Sequence, residues 1–281
     1  MYRNSVYLIQ RRISHFLWLL ICVAFLFFFV GPFVWMVTTS FKVPSDIVRF
    51  PPTLLPERWV FENYVTMWNE LNWLPMFANS FWITAVSVFL LVMVSSLGGF
   101  AFAKMRWPLR TFCFLLIVAG LIVPTEVDMI PRFLMMTSWG LTGTYIPVIL
   151  LIIGQGFQTF MMRQFIGTIP NDYFDAAKVD GMGYIWMFVK IVLPLAKAGV
   201  VTMSIFSTFM VWNQYVYPLI YLTKPHQFTL QLGLGLLQQR LIGEFGPLMA
   251  AATMVSLPTL IIYLMFQRHL TSGIAMTGVK G

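Results

Sequence analysis

The sequence predicts an all-α integral membrane protein of six transmembrane helices, and three observations carry that prediction. Hydrophobic residues make up 59% of the 281 positions and charged residues only 10%, whereas soluble domains run at roughly 45–50% apolar and about 25% charged. The mean hydropathy is +0.79. The apolar residues also gather into runs that match a bilayer, whose hydrocarbon core takes about 20 helical residues to cross. A soluble protein with an unusually apolar core is set aside, because a water-facing surface needs far more charge than this chain has.

The runs follow in order. Residues 16–37 and 81–103 are free of charge until Lys104 is reached, and residues 112–127 form a shorter run that ends beside Glu126 and Asp128. Residues 145–162 are interrupted only by the amides Gln155 and Gln158, residues 198–222 carry Asn213 and Gln214, and residues 247–266 close the set. The first run is preceded by Arg3, Arg11 and Arg12, as a signal peptide would be. A signal core, however, is only about 7–15 residues long, and no small-x-small cleavage pattern follows Phe33 and Trp35, so a permanent anchor is expected. Neither a tandem nor an inverted repeat relates the two groups of three runs, so residues 1–281 are expected to form one transmembrane domain.

Charge placement gives the orientation. The net charge of +8 is scattered among apolar spans rather than gathered on a polar face, which argues against nucleic acid and for a topological signal in membrane lipid. Twelve of the eighteen basic residues fall on one side with residues 104–110, 163–197 and both ends of the chain; the other side holds seven of the ten acids. Both termini are therefore expected in the cytoplasm. Cys22 and Cys113 lie inside apolar runs and read as small hydrophobes. His15, His226 and His269 have no metal-ligand spacing.

The inside loop 163–197 stands out by its length and mixed character. It contains Asn171-Asp172-Tyr173-Phe174-Asp175-Ala176-Ala177-Lys178-Val179-Asp180-Gly181. Asn171 or Asp172 suits a helix N-cap after Pro170, and Gly181 suits the left-handed residue that ends a helix. A second, strongly apolar piece, 184–193, should stop or kink at Pro194. A short capped helix with paired alanines lets a partner approach closely, and Asp175 and Asp180 offer charge-assisted bonds to partner cations. A surface linker helix without a partner reads equally well on physics alone.

This loop resembles the cytoplasmic signature of ABC importer permeases. Ala176, Ala177, Asp180, Gly181, Leu193 and Pro194 fall in register with it, and Asp175 stands where Glu is usual. Further likeness to carbohydrate-uptake permeases lies in Ser40-Phe41-Lys42, Glu62-Asn63-Tyr64, Asn79-Ser80, Ala101-Phe102-Ala103-Lys104, Trp212-Asn213-Gln214-Tyr215 and Gln267-Arg268. The ending Thr277-Gly278-Val279-Lys280-Gly281 is similar to that of the maltose-type second permease. The resemblance implies the type I importer architecture in the bacterial inner membrane. The stretch from Asp172 to Gly181, with Leu193 and Pro194, would be the coupling helix and its support, seated in an ATPase cleft. Thr277, Gly278, Val279 and Lys280 would reach the interface of an ATP-binding dimer. It further implies a second, homologous permease and an extracytoplasmic solute-binding protein, the latter facing residues 61–68 and 222–245. ATP and Mg2+ would belong to the ATPase partners, since this chain has no Gly-x-x-x-x-Gly-Lys-Ser/Thr loop to hold phosphates.

Polar residues within spans mark candidate solute contacts. Asn213, Gln214, Tyr215 and Tyr217 offer amides and aromatic faces that suit sugars; bonding to neighbouring helices would explain them as well. Gln155 and Gln158, at i and i+3, are expected to share one helix face, toward solute or toward another helix. Glu126 and Asp128 read as interfacial acids or as an outer gate. An ion-coupled carrier is disfavoured because no ionisable residue sits deep in a span. A membrane enzyme is disfavoured because neither metal-spaced histidines nor a nucleophile elbow is present.

Overall fold

The computed structural model describes the backbone of residues 2–278 and the side chains of residues 14–267; helices are the only regular elements among them. The chain divides into two compact units, Met1–Leu71 with Leu236–Ser256, and Asn72–Gly235 with Leu257–Gly281.

The first unit opens with α1 (Tyr2–Thr39), followed by a single turn, α2 (Pro44–Ile47), and by α3 (Glu62–Glu70). Between α1 and α3 the chain is held by polar bonds to backbone. The Asn63 amide donates to the carbonyls of Ser40 and Lys42, both at 2.9 Å. The Ser40 hydroxyl bonds the Tyr64 hydroxyl at 2.9 Å. Lys42 is buried, donates to the Thr53 carbonyl, and lies 4.2 Å from the centre of the Trp35 ring. Burial holds its pKa below the usual lysine value, with the Asp46 charge acting the other way. The motifs at 40–42 and 62–64, separate in sequence, are thus one packed feature. A cavity of about 510 Å³ lies beside them, lined by Val43, Ile47, Glu62 and Phe245 among others.

The second unit is built on α4 (Trp73–Lys104). Its buried positions, Met76, Ser80, Ile83, Thr84, Ser87, Leu91, Ser95, Gly99 and Phe100, recur at helical spacing, and several are small. That face receives α7 (Ile146–Ile153), α8 (Gly156–Gly167) and α12 (Lys197–Trp212), as bilayer packing favours, where small residues let helix backbones approach. At Gly99 the approach leaves no room for a side chain: a Cβ there would sit 2.8 Å from the Met162 Cβ and 2.9 Å from the Arg163 nitrogen. Ahead of α7 run α5 (Arg110–Gly120) and α6 (Met129–Ser138). Beyond α8 come α9 (Asp172–Val179), α10 (Tyr184–Met187), a π turn over Phe188–Val192 and the short α11 (Leu193–Leu195). After α12, α13 (Val216–Tyr221) leads into α14 (Leu230–Arg240), and α15 (Phe245–Gly278) ends the described chain.

Among the described residues, four helices are long and apolar enough to cross a membrane: residues 14–39, 73–104, 146–167 (α7 and α8 together) and 245–267. The pair Tyr184–Leu195 and Lys197–Trp212, bent by 80°, is a fifth if counted as one broken span. The remaining run, 112–127, is not continuous helix. α5 covers only 11 residues, about 16 Å at 1.5 Å per residue, and stops at Gly120 before Pro124. Pro124 has no N–H to donate and disfavours helix in the residue before it. Asp128 then pairs with Arg132 on the first turn of α6.

Candidate functional site

The loop singled out by sequence folds as a short helix with one anchored face and one bare face. α9 begins at Asp172 with Asn171 in the cap position, although the Asn171 side chain makes no capping bond. Asp172 and Asp175 in the first turn favour the positive end of the helix dipole. Beyond Asp180 the chain turns at Gly181, whose φ of +72° lies in the left-handed region. The Met182 N–H bonds the Ala177 carbonyl at 2.8 Å and the Gly181 N–H bonds that of Lys178 at 3.0 Å, which closes the helix end as a glycine terminus does.

Phe174 and Ala177 face inward. They join a cluster with Phe100, Met162, Ile166, Met187, Phe188, Val192 and Met203. The Phe174 and Phe100 rings stack at 5.8 Å between centroids. Asp172, Tyr173, Asp175, Ala176, Lys178, Val179, Asp180 and Gly181 are exposed; Val179 keeps 88% of its surface accessible. The two alanines expected to act as a docking pair therefore divide their roles, with Ala176 outward and Ala177 in the core. Asp175 accepts a bond from Lys178 at 2.9 Å. That bond first, then the Lys178 charge and more weakly Arg106, hold its carboxyl below the usual carboxylate range against a small opposing effect of burial. Asp175 is thus an exposed carboxylate already paired within its own helix.

Leu193 packs against the same cluster, and Pro194 is exposed in α11. Pro194, where a stop or kink is expected, lies inside α11 directly after the π turn, and the 80° bend falls two residues later, at Ala196. Thr277 and Gly278 close α15, but the Thr277 side chain lies outside the described residues, as Val279 and Lys280 do entirely.

The intramembrane polar residues separate into accessible and buried sets. Gln155 sits in extended backbone between α7 and α8, so it does not share a helix face with Gln158, as i and i+3 spacing led one to expect. Gln158 is fully buried, with its amide nitrogen 3.6 Å from the Met210 sulfur. Tyr217 is buried in a second cluster with Ile83, Val148 and Tyr221. Asn213, by contrast, is exposed at the end of α12 and accepts a bond from Gln231 at 3.0 Å. Gln214 and Tyr215 are half-buried beside it. Sequence reasoning missed Gln231, which lies in the returning segment; only the contact across 18 residues reveals it. That segment is latched through Asn79, which donates to the carbonyls of His226 (2.8 Å) and Phe228 (3.0 Å), and through Ser80, which accepts from the Leu230 N–H at 2.8 Å. Among the described residues no group of His, Cys, Asp and Glu has metal-site geometry.

The class these features define is a multi-pass helical membrane component whose exposed polar helix is held rigidly by the core. The chain belongs to the family of binding-protein-dependent transport system inner membrane components, whose pattern it matches over residues 95–275. It is an inner-membrane ABC transporter permease. Among its relatives is the arabinooligosaccharides transport system permease protein AraQ of Halalkalibacterium halodurans, 34% identical over 97% of this chain and 100% of that protein. Another is the lactose transport system permease protein LacG of Rhizobium radiobacter, 31% identical over 88% of this chain and 90% of that one. The fold matches a chain in the crystal structure of a bacterial ABC transporter involved in the import of the acidic polysaccharide alginate. The TM-score there is 0.81 at 20% identity, over 92% of this chain and 97% of that one.

Proposed function

We propose that this chain is one of two permeases in an ATP-driven importer of a sugar or sugar-like solute, coupled to a separate ATPase through α9. The observation that carries this reading is the division of α9 into an anchored and a bare face. A helix held by Phe174 and Ala177, with Ala176, Val179 and Asp180 left open, is built to pass on a push from outside the chain. The sugar assignment draws on the relatives, which are named for arabinooligosaccharides and lactose. The exposed Asn213 and the half-buried Gln231 bonded to it offer amides that suit hydroxyl-rich solutes. A solved alginate transporter of similar fold is in complex with its periplasmic protein, and an analogous partner here would meet the outward side of the chain.

In this scheme ATP and Mg2+ sit on the ATPase dimer. Its closure moves α9, and the permease pair alternates between two states whose balance nucleotide and solute both bias. Both termini then lie in the cytoplasm. The test is to tag the chain, extract it gently from its native membrane and identify what co-purifies. An ATP-binding subunit together with a second, non-identical permease is the expected result. A homo-oligomer without an ATPase, from an extract in which control importers stay intact, overturns the reading.

A further inference from the structure

The end of α4 grips the start of α9 at one point. The Lys104 ammonium donates to the Ile169 carbonyl at 2.5 Å, to the Asn171 Oδ1 at 2.9 Å and to the Gly167 carbonyl at 3.3 Å. Gly167 is the last residue of α8, and its carbonyl belongs to the negative end of that helix, where a cation is favoured. Asn171 occupies the cap position of α9. An ammonium has three protons and no more, so these contacts use its full donor capacity at the junction of three helices. Its Nζ also lies 5.4 Å from the Phe174 ring centre.

One turn earlier on the same helix, at i−4, Phe100 stacks on Phe174 and lies 6.1 Å from Phe188. Phe100 and Lys104 therefore hold α9 by two different chemistries, a ring stack within the core and a charged fork above it. Met162 and Ile166 of α8 share the inward cluster with Phe174 and Ala177, but residues 168–171 between α8 and α9 are turn and coil, so the link along the chain is not helical. The other route out of α9 passes through Gly181, Gly183 and the π turn, none of which transmits force as a regular helix does.

We propose that Lys104 is the positioning residue through which α4, the central helix of the second unit, follows movement of α9. It makes the three-helix junction rigid, so that displacement of α9 is delivered to the face of α4 that packs on α7, α8 and α12. The inference rests on the coupling reading above and adds the path by which the signal enters the membrane.

The experiment uses the complete transporter in lipid nanodiscs and follows amide hydrogen exchange, with and without a non-hydrolysable ATP analogue, in residues 97–104 and 167–181. In the native complex both segments should change on nucleotide binding. In Lys104→Met, residues 167–181 should still respond, while the response of residues 97–104 should fall about fivefold, the lower range of a coupling energy. Lys104→Arg, which keeps a cationic fork, should restore it. A purely structural role would alter exchange in both segments with and without nucleotide and would leave the transfer between them intact. An undiminished response at residues 97–104 in Lys104→Met overturns the proposal. Should that variant fail to assemble, Asn171→Ala removes one acceptor alone; a partial loss at residues 97–104 supports the proposal and an unchanged response overturns it. A native complex in which nucleotide alters neither segment overturns the coupling reading as well, and so separates the two failures.

Discussion

At the scale of single residues, two neighbours in α9 face opposite tests. Ala177 is 5% exposed within a packed cluster, so Ala177→Leu should overfill it at a cost of about 1–3 kcal/mol, measured as a lower melting temperature of the purified transporter. Ala176 is exposed, so Ala176→Leu should leave that temperature unchanged and weaken retention of the ATPase on a tagged chain. Equal effects in both assays for the two variants would contradict the division of faces. Gly181 gives a third case. A Cβ there meets nothing within this chain, and its φ of +72° is one that Asp and Asn tolerate better than other side-chain-bearing residues. Gly181→Asp should therefore meet no clash within the chain, carry some backbone strain at that φ, and lose coupling through what the partner meets. Full solute-stimulated ATP hydrolysis in that variant would count against it. The sequence made the turn at Gly181 legible because few residues end a helix that way. It could not show which alanine pointed outward, because that depends on where Phe100 lies in space.

At the scale of elements, most long apolar runs were readable as spans, those with Pro32, Gln155, Gln158 and Pro258 included, whereas the point at which helix breaks was not. The runs around 81–103 and 247–266 carry continuous helices. Residues 112–127 look similar in composition, yet helix ends at Gly120, since hydropathy is blind to where backbone bonding stops. Likewise the Gln155 and Gln158 pair suggested one face because spacing arguments assume an unbroken helix, and the break falls at Gln155 itself. Lys104 was read as a topological charge and as part of a family-like motif, and its junction role was hidden because its acceptors lie 63 to 67 residues away. The α4–α8 contact yields its own prediction. Gly99→Val should force the two helices apart, because the obstructing atoms include the Arg163 backbone nitrogen, which cannot rotate away. The expected result is a destabilisation of about 1–3 kcal/mol, seen as loss of the folded chain on heating in detergent; a melting temperature equal to the native one would show that the contact is looser than described.

At the scale of the whole molecule, composition and charge asymmetry announced a membrane protein and an orientation, and the orientation has a direct chemical test. Lys42 is buried, while Lys178, Lys190, Lys197 and Lys224 are exposed. With both termini in the cytoplasm, a membrane-impermeant amine reagent added to intact spheroplasts should modify Lys224 and spare the other four. Labelling of Lys178 from outside would reverse the topology. The solute is not legible, because Asn213 and the half-buried Gln231 bonded to it are two amides that any hydroxylated compound satisfies.

The π turn at Phe188–Val192 has a consequence for how such genes can change. A π turn amounts to one extra residue inserted into an α-helix, and one residue corresponds to about 100° of rotation about the axis. The turn at Phe188–Val192 thus takes up one more residue than an α revolution while keeping the flanking segments in phase. Removal of Lys190 would let the stretch close to regular helix with little rotation, whereas removal of a residue from regular helix, as in α12, would swing everything on one side of it by more than a quarter turn. Ala176 and Ala177 would keep their directions in the first case. Alignments of related permeases should accordingly tolerate a one-residue gap at 188–192 and hardly any within α12.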